Sequence, residues 1–187
     1  MRVKLFMLML GAKPQGRHTE QHDIFFVIDE SINDVKPNIK AFWPEAKDKI
    51  HIDAWREVTS VDGYQINVVE KQADLASLSK HKLFFVNLGG YQENRFEEQH
   101  YVLLTVKEDK SLAFKEAKQT LFYQHNHIPG GTSHIDDKYG VDVDDLYEIE
   151  DILSAEQKEK YRIEIAPIEG LAKDEFHLGY LKLSQLK

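Results

Sequence analysis

Two short polar segments carry the side chains that are best suited to chemistry in this sequence. The segment Arg17–His22 reads RHTEQH, and the segment Arg95–His100 reads RFEEQH at a distance of 78 positions. An imidazole can accept or donate a proton near neutral pH, and a neighbouring carboxylate can orient it. A guanidinium group matches carboxylate and phosphate groups. The segments therefore predict a small-molecule site for an anionic substrate, whose candidate catalytic residues are His22, Glu20, His100 and Glu98.

The same segments have a structural interpretation, and it is the leading one from the sequence. On an extended strand, Glu20 and His22 share a face with Ile24, Phe26 and Ile28, so each histidine is expected to begin an inward-facing row. A buried imidazole must be paired, here with Glu, Gln or backbone groups. We therefore interpret the R-x-x-E-Q-H motif mainly as a polar network that stabilises the fold, with a protein or small molecule bound elsewhere on the surface.

A second pair of segments adds His-x-Asp spacing, which places both side chains on one face of a strand. It occurs at His51-Ile52-Asp53 and at His134-Ile135-Asp136. Together with His22 or Glu20, this spacing could complete a nitrogen and oxygen site for zinc, manganese or iron. The spacing is common on polar strands, so neither a metal site nor a cofactor is assigned. The predicted ligand-binding residues are Arg17, Arg95, His51, Asp53, His134 and Asp136.

Several established sites can be set aside. Gly11 and Gly16 have the spacing of a phosphate-binding loop, but Arg17 and His18 stand where that loop needs Lys and Ser or Thr. Whether the chain is an enzyme is left open, because the sequence has no nucleophile elbow, zinc-protease helix or dinucleotide fingerprint. Because there is no cysteine, disulfides and thiolate chemistry are excluded.

The two polar segments belong to a longer internal repeat. Residues 4–30 align with residues 82–108 without a gap, and 10 of the 27 positions are identical. Weaker matches continue to His134-Ile135-Asp136 and to Tyr161-Arg162-Ile163. We therefore predict a first module at residues 1–70, a linker at 71–80 and a second module at 81–187. The second module would carry insertions near 124–133 and 141–157 and a C-terminal extension.

Each repeat reads as a ββαββ unit in an α+β fold. The apolar segments KLFMLMLG and KLFFVNLG are typical of buried strands, and QHDIFFVID and QHYVLLTVK of the strands that follow. Helices are predicted within 31–43, starting near Asn33 or Asp34 with Pro37 in the first turn, and at about 111–122, with Phe114, Ala117 and Leu121 on one face. The segment KIHIDAW is expected to alternate, with Ile50, Ile52 and Ala54 on one face. Asp62-Gly63 predicts a turn, Ser154–Gln157 predicts a capping box for a short helix, and EFHLGYLKL predicts a last strand. Two tandem modules would then form mainly antiparallel sheets with helices on one face. By analogy with symmetric dimers, we expect a pseudo-two-fold relation between them.

Composition restricts the partners and the location. The net charge of −8 disfavours nucleic acid and anionic membranes, because both attract Lys and Arg. The first apolar run resembles a signal peptide, but residues 81–90 repeat it inside the chain, so both are predicted to be strands. We expect a cytoplasmic protein that binds an unknown small molecule or protein. It would be a monomer with an internal pseudo-dimer, or a homodimer.

The motifs also resemble a known family. The strand, glycine, loop and R-x-x-E-Q-H pattern, with AFWPEA at 41–46 and HIDAW at 51–55, resembles the small bacterial family called domain of unknown function 1543. Its members carry one or two copies of the domain. The resemblance covers residues 1–70 well and 81–166 more loosely, since LFYQHN replaces AFWPEA in the second repeat. The family brings no settled activity to this chain.

Overall fold

The computed structural model describes residues 2–71, 79–91, 96–119 and 141–186, without the side chains of residues 91 and 141–144. Two compact units are present. The first contains Met1–Ala76 and Leu153–Lys187, and the second contains Ser77–Ile152. Both units consist mainly of antiparallel sheet with short helices, so the predicted α+β class is confirmed. Among the described residues, no helix is long and apolar enough to cross a membrane.

Ten strands and four α-helices lie within the described residues and follow in chain order. The strands are β1 Lys4–Ala12, β2 Gln21–Asp29, β3 His51–Glu57, β4 Ser60–Val61, β5 Tyr64–Glu70, β6 Lys82–Tyr91, β7 Glu98–Lys107, β8 Val141–Glu148, β9 Tyr161–Pro167 and β10 His177–Lys182. The helices are α1 Lys36–Phe42, α2 Lys110–Ala117, α3 Ile149–Ile152 and α4 Ala155–Lys160. Short 3₁₀ helices span Pro44–Lys49 and Leu183–Gln185.

The larger sheet of the first unit has the strand order β10-β3-β1-β2. Strand β1 is central, and its Leu8 and Leu10 are fully buried, as the apolar sequence KLFMLMLG predicts. One face of this sheet packs against Ile39 of α1 and Ala46 of the first 3₁₀ helix, and this packing forms a hydrophobic core. A second sheet has the order β4-β5-β9. Asp62 and Gly63 both have positive φ, which fits the predicted tight turn between β4 and β5.

The register of the larger sheet places the polar residues in one row. Gly11 of β1 pairs with His22 of β2 on one side and with His51 of β3 on the other. Leu10, the neighbour of Gly11, belongs to the core, so this row lies on the opposite face of the sheet. A β-bulge follows in β3, because Leu10 pairs with Ile52 while Met9 pairs with Ala54.

That bulge corrects one sequence expectation. The segment KIHIDAW was expected to alternate regularly, with Ile50, Ile52 and Ala54 on one face. Asp53 has no partner opposite it in β1, so the alternation shifts by one residue and Trp55, rather than Ala54, packs against the core. A bulge redirects the side chain of the extra residue, and here that residue is one of the predicted site residues.

The sheet of the second unit has the order β7-β6-β8. Gly89 pairs with His100 and with Asp142, and β8 has its own bulge, at Asp144, between the pairs Leu88–Val143 and Asn87–Asp145. By register, Asp142 and Asp144 therefore stand where the first unit has His51 and Asp53. The sequence had matched His134-Ile135-Asp136 to His51-Ile52-Asp53, but those three residues lie outside the described part of the chain.

The compact units do not coincide with the predicted modules. Strand β9 pairs along its whole length with β5, and β10 pairs with β3, so residues after 152 join the first unit. Strand β8 lies at residues that were predicted as an insertion. It is instead a regular part of the second unit's sheet, where it pairs with β6. The predicted C-terminal strand in EFHLGYLKL is confirmed as β10. The pseudo-two-fold relation stays a prediction.

Two helices differ from their predicted faces or bounds. Helix α1 begins at Lys36, later than expected, and has Pro37 in its first turn as expected. In α2, Phe114 was predicted to face inward, but Ala113 and Ala117 are buried and Phe114 is partly exposed. Small side chains allow α2 to approach the sheet closely, and the Phe114 ring instead contacts the Lys118 ammonium group at 4.7 Å.

Candidate functional site

A cluster of two histidines and two carboxylates lies on the first unit's larger sheet, on the face opposite to the core. His22 comes from the start of β2 and His51 from the start of β3, on either side of Gly11. Asp53 is the bulged residue of β3, and Glu20 comes from the loop that precedes β2. We call Glu20, His22, His51 and Asp53 the His–carboxylate cluster.

The four side chains meet through their ring nitrogens and carboxylate oxygens. His51 Nε2 lies 3.2 Å from Glu20 Oε1 and 3.2 Å from Asp53 Oδ1. His22 Nε2 lies 3.3 Å from Asp53 Oδ2 and 3.8 Å from Glu20 Oε2. Each imidazole therefore faces both carboxylates. Four of the five residues predicted for a site in the first repeat converge in this way.

His51 is the fixed member of the cluster. Its side chain is 5% exposed, whereas those of Glu20 and His22 are 46% and 48% exposed. His51 Nδ1 lies 3.3 Å from the carbonyl oxygen of Lys49, and its ring lies 4.2 Å from the ring of Tyr180. A carbonyl oxygen can only accept, so this contact is a hydrogen bond in the tautomer that carries the proton on Nδ1. In that neutral tautomer, Nε2 is an acceptor that faces two carboxylate oxygens.

Asp53 contributes a buried polar atom without a hydrogen bond. Its Oδ2 is buried and has no hydrogen-bond partner among the described residues, although His22 Nε2 is 3.3 Å away. We interpret this contact as electrostatic, since its distance satisfies an ion pair but its geometry does not satisfy a hydrogen bond.

Gly11 makes room for the cluster. A Cβ atom at this position would lie 2.3 Å from Asp53 Oδ2 and 2.5 Å from His51 Nε2. These distances are far below van der Waals contact, so any larger residue would displace the two side chains. The glycine is required here because polar side chains cross directly over its Cα atom.

His22 differs from its predicted environment. It was expected to begin an inward-facing row, but its side chain is half-exposed. Ile24 is only partly buried, and the row becomes buried at Phe26 and Ile28. The start of β2 lies at the end of the sheet, where fewer elements cover this face.

The remaining predicted residues are not brought to the cluster by any described contact. Arg17 is exposed in the loop between β1 and β2, where its backbone nitrogen donates a hydrogen bond to the Pro14 carbonyl. In the second unit, His100 Nε2 lies 3.8 Å from Glu98 Oε2, and both side chains are partly exposed. Arg95, His134 and Asp136 lie outside the described residues.

Sequence reasoning missed three contributors to the site: Gly11, the Lys49 carbonyl and Tyr180. Gly11 carried a signal, because Gly89 repeats it in the second copy. The Lys49 carbonyl is a backbone group and carries none. Tyr180 lies about 130 residues from His51 in the chain, and only the pairing of β10 with β3 brings its ring to His51.

A separate pocket lies between the start of β1 and strand β5, and none of the cluster residues lines it. It contains Arg2 and Lys4, which could attract an anion. However, Lys4 Nζ pairs with Glu57 Oε2 at 2.8 Å, and Arg2 donates to the Asn67 side chain. The charged groups of this pocket are therefore already satisfied, and the His–carboxylate cluster is the stronger candidate site.

Comparisons with known proteins support the fold and give a family match over part of the chain. The chain is similar to the crystal structure of a protein Il1583 from Idiomarina loihiensis, with a TM-score of 0.64 and 20% sequence identity. That similarity covers 97% of this chain and 98% of the other, and at this identity it supports the fold alone. No curated protein matches the chain. Residues 17–68 match the family model of Domain of Unknown Function DUF1543, which confirms the predicted resemblance over that stretch.

Proposed function

We propose that the His–carboxylate cluster of the first unit is a small-ligand site and not a purely structural network. The observation that carries this proposal is the environment of His51 Nε2. The His51 side chain is 5% exposed, and in the tautomer that donates from Nδ1 to the Lys49 carbonyl, its Nε2 lone pair faces two carboxylate oxygens at 3.2 Å. Such an arrangement needs a proton or a ligand between the acceptors.

The charges of the cluster indicate what kind of ligand fits. Glu20 and Asp53 are two acids against two imidazoles, and Arg17 makes no described contact with them. A negatively charged ligand would meet two carboxylates, so the anionic substrate considered from the sequence is disfavoured at this cluster. A cation, or a neutral molecule that donates hydrogen bonds, complements it. The exposed edge of His22 gives such a ligand access from solvent.

The test separates a site from a scaffold through stability. A half-exposed histidine in a ligand site contributes little to folding, so His22→Ala should change the free energy of unfolding by less than about 0.5 kcal/mol. A scaffold histidine whose loss leaves Asp53 unpaired should cost roughly 1–3 kcal/mol. Urea denaturation of chelator-treated protein measures the difference, with the exposed His18→Ala as the matched control. A loss above about 1 kcal/mol for His22→Ala alone would overturn the proposal.

We further propose that the chain arose by duplication of one module. Support comes from the identical residues in 4–30 and 82–108, from the matching orders β3-β1-β2 and β8-β6-β7, and from a bulge at the same register position in each sheet. The two copies then diverged at the site, since Asp142 replaces His51 by register. The second unit is therefore expected to bind a different ligand or none.

A further inference from the structure

We propose that Glu20, His22, His51 and Asp53 bind a divalent first-row transition metal ion of the Zn²⁺ class. The inference rests on the proposed ligand site and names its ligand. Imidazole nitrogens combined with carboxylate oxygens are the donors that such ions take in proteins. Two acids and two neutral imidazoles also provide two negative charges for a doubly positive ion.

The hydrogen bonding of His51 has the form that metal-binding histidines share. A metal-ligating histidine donates its second ring N–H to a carboxylate or backbone carbonyl, which fixes the ring and raises the basicity of the free nitrogen. His51 Nδ1 meets the Lys49 carbonyl at 3.3 Å, and the Tyr180 ring covers the imidazole. Its Nε2 lone pair is therefore held in a fixed direction, toward the oxygens of Glu20 and Asp53.

The distances within the cluster are close to those between ligands of one ion. Donors at 2.0–2.1 Å around a tetrahedral ion are separated by about 3.3–3.4 Å. The contacts of His51 with Glu20 and Asp53 are 3.2 Å, and that of His22 with Asp53 is 3.3 Å. The distance from His22 Nε2 to Glu20 Oε2 is wider, at 3.8 Å, and His22 faces the Oε2 and Oδ2 atoms whereas His51 faces Oε1 and Oδ1. One oxygen of each carboxylate must therefore turn toward both imidazoles when an ion binds.

The cluster still has to close around an ion. In its present geometry, no group of three or more His, Asp or Glu side chains within the described part of the chain could hold a metal ion. Glu20 and His22 are the exposed members of the cluster, so their side chains can rotate, whereas His51 is fixed and Asp53 mostly covered. We infer that His51 and Asp53 form the rigid half of the site and that the other two residues complete it on binding.

The second unit provides an internal comparison. Glu98 and His100 repeat Glu20 and His22, but the register places Asp142 and Asp144 at the positions of His51 and Asp53. That set has one imidazole and three acids, which suits hard cations better than Zn²⁺-class ions. Transition-metal binding is therefore assigned to the first unit, at close to one ion per chain.

The experiment uses the full chain without an affinity tag, because a histidine tag would itself bind the probe. Co²⁺ is titrated into chelator-treated protein, and calorimetry and visible absorption measure its affinity and coordination. We expect saturable binding with the absorption bands of an N/O-coordinated ion. His22→Ala and His51→Gln should each weaken binding at least about tenfold, whereas His18→Ala and His100→Ala should leave it unchanged.

Two results would overturn the metal assignment. One is the absence of saturable Co²⁺ binding by folded protein, and the other is unchanged affinity in His22→Ala. If His51→Gln fails to fold by circular dichroism, the half-exposed His22→Ala still decides the question. Loss of binding in His100→Ala instead would place the ion in the second unit and contradict the assignment. These results are independent of the urea experiment on His22→Ala. If the protein binds no metal ion, that experiment still decides whether the cluster is a ligand site.

Discussion

At the level of single residues, the site depends on the lack of a side chain at Gly11 as well as on the four side chains of the cluster. Gly11 separates His22 from His51 across the sheet, and the carboxylate of Asp53 lies above its Cα atom. The glycine has an ordinary strand pairing, so backbone freedom does not explain its presence. Space for the cluster explains it.

Substitution Gly11→Ala should disrupt the cluster. The new Cβ would lie 2.3 Å from Asp53 Oδ2 and 2.5 Å from His51 Nε2, and overpacking of this kind costs about 1–3 kcal/mol. Urea denaturation measures the loss. Met9→Ala, two residues earlier on the same face and partly exposed, should cost less than Gly11→Ala. Equal stability of Gly11→Ala and the unsubstituted protein would show that the cluster can move without cost.

At the level of secondary-structure elements, α4 is attached to the larger sheet through one side chain. Gln157 Nε2 donates to the Ile28 carbonyl at 2.8 Å, and Gln157 Oε1 accepts from the Ile28 N–H at 3.3 Å. Gln157 thus pairs with strand β2 as a neighbouring strand would. The sequence predicted a capping box for Ser154–Gln157, and Ser154 does cap the helix by accepting from the Gln157 N–H. The Gln157 side chain forms hydrogen bonds with the Ile28 backbone and therefore does not complete the capping box.

Gln157→Leu should therefore destabilise the first unit. Leucine is similar in volume to glutamine, but it leaves the buried N–H and C=O groups of Ile28 without partners. The expected loss is roughly 1–3 kcal/mol. Urea denaturation compares it with Glu159→Ala, an exposed change on the same helix. A loss no larger than that of Glu159→Ala would mean that water replaces the glutamine at this edge.

Helix α2 provides a prediction about pH. Asp109 caps its N-terminus by accepting a hydrogen bond from the Leu112 N–H at 3.0 Å, and this bond lowers the pKa of the Asp109 carboxyl below its usual value of 3.8. A lowered folded-state pKa stabilises the protein above pH 3.8, and the contribution is lost as the pH falls through the folded-state value. Asp109→Asn keeps a capping group without the charge. Its melting temperature should decline less steeply below about pH 4 than that of the unsubstituted protein. Parallel declines would contradict the assignment.

At the level of the whole molecule, distant parts of the sequence complete the first unit. Strand β9 adds to β5, β10 adds to β3, and Asp174 lies at the turn that follows β3. Asp174 Oδ1 accepts from the Thr59 N–H, the Thr59 hydroxyl and the Ser60 N–H at 3.1, 2.6 and 3.0 Å. Its Oδ2 lies 3.6 Å from Arg56 Nη1, and the side chains of Asp174 and Arg56 are 1% and 13% exposed. Burial lowers the pKa of Arg56, and the Asp174 charge opposes that shift.

Asp174→Ala should be among the most destabilising single substitutions in this unit. It leaves the buried Arg56 guanidinium unpaired and removes three hydrogen bonds, at a cost of roughly 3–5 kcal/mol. Thermal and urea unfolding measure the loss, and the exposed Glu175→Ala is the control. In an Arg56→Met background the same substitution should cost clearly less, because no charge is then left unpaired. Equal costs in both backgrounds would rule out the ion pair as the cause.

Local sequence pattern was sufficient to predict the α+β class, the buried strands β1 and β6, the turn at Asp62-Gly63 and four of the residues that meet in the cluster. These features depend on local periodicity, turn chemistry and repetition, which can be read within a few residues of the chain. It also identified the family resemblance that the match at residues 17–68 confirms.

How those parts combine depends on contacts between segments that are distant in the chain. The bulge at Asp53 turns its carboxylate toward His51, and the pairing of β10 with β3 brings Tyr180 to the His51 ring. Strand register is set by packing between segments that are far apart in the chain, and a shift of one residue reverses which side chains share a face. For that reason local pattern could name His22, His51 and Asp53 but could not show that their nitrogens and oxygens would meet above Gly11.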